Sequence, residues 1–219
     1  PMKFSRLPKA ILFDMDGTLV DSIPFHQEAW LRFLESHGIH LGPDEFHAQN
    51  HGTIDEMIRR FFPAVQDSTA LYALGQEKER MYREIYKPHI HEVAGLTPFL
   101  ERIHTLGIQA HLATMGDRPN IDFVLDGLGI RSFFSSITGA EEVSKGKPNP
   151  EVFLRSIEKA KVHASDCWVL EDSKGGILAG AAAGCLVIGI TTSHSPEELI
   201  SYGAERTVVD FLELMEEFC

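Results

Sequence analysis

The chain predicts an α/β fold: a doubly wound, mostly parallel sheet carrying an α-helical domain inserted after its first strand. Short runs that resemble buried strands alternate with helical periodicity, the pattern of repeated βαβ crossovers. One long stretch departs from it, with helical periodicity but no strand. Chemically related polar residues stand directly after several of the apolar runs. Open α/β sheets bind ligands beyond the carboxyl ends of their strands, so these residues are expected along one edge.

The first strand is Ala10-Ile11-Leu12-Phe13, apolar at every position, as suits the interior of a parallel sheet. The inserted region follows. Helical periodicity marks residues 25–36, 54–62 and 71–86, and Pro43, Pro63 and Pro88 punctuate them. The predicted division is therefore a sheet domain of residues 1–22 and 94–219 and a helical cap of residues 23–93. The connections near 19–24 and 87–95 would act as hinges. Further strands are expected at 108–114, 133–138, 167–170, 186–190 and 207–209. The intervening helices are expected at 97–106, 118–128, 150–160, 175–183 and 196–202.

Bulk properties narrow the function. At 219 residues and 43% hydrophobic content the chain can bury a sizeable core. A formal net charge of −12 argues against general nucleic-acid or anionic-membrane binding. It leaves an anionic small molecule open, because a local lysine and metal cluster can reverse the field in a cleft. Cys167, Cys185 and Cys219 form no metal or redox spacing, and the first two lie in apolar, strand-like contexts. No leader pattern opens the chain and no apolar run reaches transmembrane length, so a cytoplasmic monomer or weak dimer is expected.

The polar residues at the strand ends carry the chemistry. Asp14 and Asp16 stand two apart in Asp14-Met15-Asp16-Gly17-Thr18 and repel each other unless a cation or shared proton intervenes. A hard cation with oxygen ligands, Mg²⁺ above all, answers that repulsion and leaves room for substrate phosphate. Thr114-Met115-Gly116 follows the strand at 108–114. Lys145 and Lys147 lie in Ser144-Lys145-Gly146-Lys147-Pro148-Asn149-Pro150, and Glu171-Asp172-Ser173 follows the strand at 167–170. Singly, each has a plainer reading: Thr114 as a strand-end hydrogen bonder, Glu171 as a carboxylate facing a helix N-terminus, Ser173 as an N-cap.

Together, in this order, D-x-D-G-T, a threonine, K-P-x-P and E-D-S resemble the haloacid dehalogenase superfamily, in the helical-cap subgroup of β-phosphoglucomutases and phosphoglycolate phosphatases. The resemblance implies a phosphatase acting on a small phosphorylated metabolite, with Mg²⁺ as cofactor. Asp14 would be the nucleophile and Asp16 the acid and base. Lys147 and Thr114 would hold the phosphate oxygens, assisted by backbone N–H groups around Met15 and Met115. Asp14, the Asp16 carbonyl, Asp172 and Glu171, directly or through water, would hold the metal. The second aspartate argues for phosphate chemistry over carbon–halogen cleavage, and no P-loop is present for a nucleotide kinase.

The resemblance also implies that cap residues choose the substrate. In the mutases the loop matching Gln49-Asn50-His51-Gly52-Thr53-Ile54-Asp55-Glu56 carries a lysine and an arginine for a second phosphate. His51 and Asp55 stand there instead, which favours a phosphatase over a mutase. His51 and Gly52 stay candidates for substrate contact, as do His26 and Lys78, which match cap positions of the mutases. Read alone, Lys78 in its acidic helical run is a surface ion-pair residue. His89 and His91 read as exposed residues beside the second hinge.

Overall fold

A computed structural model describes residues 4–218; Cys219 lies outside them. The predicted strands are β1 (Ala10–Phe13), β2 (Gln109–Ala113), β3 (Phe134–Thr138), β4 (Cys167–Glu171), β5 (Leu186–Ile190) and β6 (Arg206–Val208). They form one parallel sheet in the order β3-β2-β1-β4-β5-β6. β1 lies between β2 and β4, where strand order reverses, and that reversal opens a crevice at the carboxyl ends of these strands.

Helices α5 (Leu96–Thr105), α6 (Arg118–Leu128), α7 (Glu151–Ala160), α8 (Lys174–Ala182), α9 (Pro196–Tyr202) and α10 (Phe211–Met215) belong to the sheet unit. Alternation along each strand divides the core between two faces. Ala10, Leu12, Cys167 and Val169 pack with Val152 and Phe153 of α7, Ile177 of α8 and Leu199 of α9. On the other face Phe13 meets Phe99 of α5 and Phe211 of α10, and Trp168 meets Phe218. The sheet is thus doubly wound. Cys167 and Cys185 are buried and unbridged.

The second compact unit runs from Ser22 to His89 and consists of α1 (Ile23–Ser36), α2 (Pro43–Gln49), α3 (Ile54–Phe61) and α4 (Ser68–Tyr86). Its core is Trp30, Phe33, Leu34, Phe46, Met57, Ile58, Phe61 and Leu71. α4 starts upstream of its periodic stretch because Asp67 caps it, accepting from Ala70 N at 2.8 Å. α2 and α10 are absent from the periodicity reading. Each is too short to show a repeat, and each is set by its N-terminus: Gly42 followed by Pro43 for α2, and Asp210 accepting from Glu213 N at 2.9 Å for α10. Residues from Ile90 onward belong with the sheet unit, where Val93 N donates to Leu19 O at 2.8 Å. No helix among the described residues is long and apolar enough to cross a membrane.

His111 of β2 is buried inside the sheet unit. Gln109 Nε2 donates to Ala160 O at 3.3 Å, which turns its Oε1 towards His111 Nε2 at 2.7 Å. That oxygen only accepts, so the imidazole proton sits on Nε2, and Nδ1 accepts from Ser136 Oγ at 2.6 Å. Burial, with Lys159 adding to it, lowers the His111 pKa from 6.5 to about 4. The folded state keeps the ring neutral while the unfolded chain binds a proton, so stability is full above 6.5 and falls as pH drops towards 4. The shift corresponds to a loss on the order of 3 kcal/mol. An NMR titration of the His111 ring should show a midpoint near 4, and urea unfolding should track the loss; a midpoint near 6.5 would contradict it.

Candidate active site

β1 stays paired one residue beyond its end, with Asp14 N donating to Leu170 O of β4 at 3.1 Å. The chain then turns tightly: Leu19 N reaches Met15 O at 2.9 Å and Gly17 N reaches Val20 O at 2.7 Å. Gly17 has φ +78°, and a Cβ on it would fall 2.0 Å from Asp172 Oδ2. Only glycine meets both demands, the backbone conformation and the close approach of the Asp172 carboxylate.

Lys147 joins three strand ends. Its Nζ donates to Asp14 Oδ1 at 2.9 Å, Glu171 Oε1 at 2.6 Å and Ala113 O at 3.3 Å, over the Phe153 ring at 4.9 Å. Three ammonium protons thus meet three acceptors. Glu171, fully buried at the end of β4, uses its other oxygen to accept from Asp172 N at 3.0 Å and from Ser173 N and Oγ at 3.3 Å. A Cβ on Gly176 would lie 1.8 Å from the Glu171 carboxyl carbon, so the first turn of α8 must carry glycine there. Ser173 caps α8, accepting from Gly176 N at 3.1 Å.

Asp14, Glu171 and Asp172 bring carboxylate oxygens within 4.8 Å of one another, all buried. Burial, then the charge of Glu171, raises the Asp14 pKa to about 7 against the pull of Lys147. Asp172 is pushed well above the usual carboxylate range by burial, Asp14 and Glu171. Burial alone would lower the Lys147 pKa, but Asp14 and Glu171 outweigh it and raise it. The cluster therefore carries more negative charge than its lysine offsets. A hard, all-oxygen donor set with surplus negative charge suits Mg²⁺.

Asp16 stands half-buried in the turn, bridged to Val20, and its carboxylate is outside this three-acid group. Thr114 is 2% exposed, and its Oγ1 accepts from Gly116 N at 3.0 Å, leaving its own proton to donate. The Met115 side chain packs against the core beneath, which leaves its backbone as the polar part. Lys145 is exposed, whereas the Lys147 side chain is 10% exposed.

The remaining candidates lie in the helical unit. Lys78 is buried, contrary to the surface reading. Its Nζ is 2.9 Å from His26 Nδ1 and 3.1 Å from Glu79 Oε1, and lies over the Trp30 ring at 5.0 Å. His26 stacks on Tyr82 with centroids 3.6 Å apart. His51 is exposed in a loop held by Arg60, whose Nη1 donates to Gln49 O at 2.8 Å and His51 O at 3.0 Å. Gly52 has φ +91°, and a Cβ there would sit 2.1 Å from Glu56 Oε2, the carboxylate oxygen that accepts from Thr53 N in the α3 capping box. Asp55 pairs with Arg59 at 2.8 Å, and His89 and His91 are exposed. Sequence reasoning passed over Arg60, Glu79 and Phe153. Arg60 and Glu79 read as ordinary charges on helical faces and Phe153 as core, and nothing local signals otherwise.

Comparison with known proteins identifies the family. Residues 11–190 match the family described as haloacid dehalogenase-like hydrolase. Hexitol phosphatase A of Escherichia coli is 32% identical, over 92% of this chain and 94% of its own length. A phosphoglycolate phosphatase of Vibrio parahaemolyticus is 31% identical over 95% of each chain. Among solved structures, a family IA haloacid dehalogenase hydrolase from Entamoeba histolytica superimposes with a TM-score of 0.87 at 28% identity, covering 96% of this chain and 97% of that one. A β-phosphoglucomutase from Clostridium difficile shares the fold, with a TM-score of 0.80 at 23% identity over 97% of each chain. With most of its length matched and its four strand-end motifs gathered at one sheet edge, the chain belongs to the haloacid dehalogenase-like hydrolase family.

Proposed function

We propose that this protein is a Mg²⁺-dependent phosphatase that hydrolyses a small phosphorylated metabolite, a sugar or polyol phosphate or a similar monoester. The observation that carries the reading is the Asp14 carboxylate, buried yet held at 2.9 Å by Lys147 beside two further acids at the strand-reversal crevice. Relatives named as hexitol and phosphoglycolate phosphatases support the substrate class.

In this reading a carboxylate oxygen of Asp14 attacks phosphorus, and the bond to the leaving oxygen breaks. Asp16 gives its proton to that oxygen, so an alcohol departs rather than an alkoxide. The aspartyl-phosphate splits one displacement into two. Asp16, now ionised, takes a proton from the water that attacks phosphorus, restoring Asp14 and releasing phosphate. Lys147 and Thr114 hold the non-bridging oxygens, with backbone N–H groups around Met15 and Met115 as further donors. Asp14, Asp172, the Asp16 carbonyl and Glu171 would hold Mg²⁺, which when bound supplies positive charge to the phosphoryl oxygens.

A phosphosugar mutase is the second reading, kept by the buried pairing of Lys78 with His26 at 2.9 Å. It uses the same aspartates but returns phosphate to another hydroxyl. A screen of phosphorylated metabolites scoring phosphate release and isomer formation separates the two; isomer without net phosphate release would overturn the phosphatase.

Asp14→Asn should abolish turnover of every ester, and retained activity would remove Asp14 as nucleophile. Asp16→Asn should slow alkyl phosphates by about 10²–10⁴ but p-nitrophenyl phosphate far less, because that leaving group needs little protonation. Equal losses on both would contradict the acid role. With its pKa raised to about 7, Asp14 favours the protonated form below neutrality, so Mg²⁺ binding there should displace a proton. Calorimetry of Mg²⁺ binding at pH 6 in buffers of different ionisation enthalpy should report that release, and a heat independent of the buffer would contradict it.

A further inference from the structure

The loop that follows β5 enters the site at two adjacent hydroxyls. Thr192 Oγ1 donates to Gly17 O at 2.5 Å, the carbonyl of the turn that bears Asp16. Ser193 Oγ donates to Asp172 Oδ2 at 3.2 Å. That same Oδ2 occupies the space that a Gly17 Cβ would take, 2.0 Å from the ideal position. Thr192, Gly17, Asp172 and Ser193 therefore close a ring of two hydrogen bonds, one van der Waals contact and one peptide bond.

The loop is itself anchored at both ends. Thr191 N donates to Val208 O of β6 at 3.0 Å, and Ser195 caps α9 by accepting from Glu198 N at 3.2 Å. Only a few residues separate these anchors, so the two hydroxyls are held in place rather than searching for partners. A hydroxyl bound to one carboxylate oxygen restrains rotation of the carboxylate, and such partners of metal-ligating groups set affinity as well as geometry.

We infer that Thr192 and Ser193 form a strap of positioning residues that fixes Asp172 against the Asp14–Gly17 turn and so sets the affinity for Mg²⁺. Neither residue touches the reacting atoms; Ser193 acts through Asp172 and Thr192 through the Gly17 carbonyl. The inference rests on the reading of Asp172 as a metal carboxylate.

The test is Mg²⁺ binding to the full chain without substrate, followed by calorimetry. Ser193→Ala should raise the Kd about ten- to a hundredfold, and Ser193→Thr, which keeps the hydroxyl, should restore it. Thr192→Val should also weaken binding, with Thr192→Ser as its restoring variant. Because the ring is closed, the double variant Thr192→Val with Ser193→Ala should lose less than the product of the single losses. Circular dichroism and thermal melts of each variant check that the fold is intact. An unchanged Kd in folded Ser193→Ala, with the wild type binding normally, would overturn the strap alone. A wild type that binds no Mg²⁺ would overturn the metal reading and the strap with it.

Discussion

Lys147 is the contact on which the site depends. Its ammonium ties Asp14 after β1, Glu171 at the end of β4 and the Ala113 carbonyl of β2, so one charge fixes three neighbouring strand ends. The site demands a lysine. A compact ammonium presents three protons to three acceptors, whereas a guanidinium fork would bring five donors in one plane and leave some unmet in a buried space. Removing the charge would leave Glu171, fully buried, with an unpaired oxygen beside two other acids. Losses of that kind in buried polar clusters exceed the worth of the single bond.

Around that charge the backbone supplies what side chains cannot. Gly17 and Gly176 are the points where a carboxylate lies against main chain with no room for a Cβ, Asp172 at one and Glu171 at the other. The acids are therefore buttressed from behind by peptide groups. Asp172 N and Ser173 N both point at Glu171 Oε2, so the turn into α8 also supplies donors. Rigidity here is preorganisation: phosphoryl transfer is mostly positioning and charge, and groups already in place need no reorganisation during the reaction.

The sheet is legible because its central strands β1, β4 and β5 are short, mostly apolar runs and because the reactive residues sit at strand ends, where parallel topology leaves them. The D-x-D-G-T and E-D-S segments are local in sequence and local in space, so spacing alone conveyed their neighbourhood. What could not be read is what depends on distant contacts. Lys78 reads as a surface residue from its acidic neighbours, yet Trp30 and His26, far away in sequence, bury and bind it. Thr192 and Ser193 look like an ordinary polar loop until the fold brings Gly17 and Asp172 to them. Gly52 has a structural duty beside the α3 capping box that only the position of Glu56 discloses.

Electrostatics then explains how so acidic a chain handles an anion. The chain carries a net charge of −12, and the crevice itself is acidic: three buried carboxylates face one lysine. Fully ionised, that group would oppose a phosphate rather than attract it. Burial answers in part by holding protons, with Asp14 raised to about 7 and Asp172 raised in the same direction. A protonated Asp14 cannot act as a nucleophile, so proton retention and phosphoryl transfer are incompatible. A divalent cation among these oxygens would resolve the conflict, because its charge would equal the surplus left once Lys147 has offset one of the three acids. The proposed Mg²⁺ and the proposed nucleophile thus rest on one electrostatic argument.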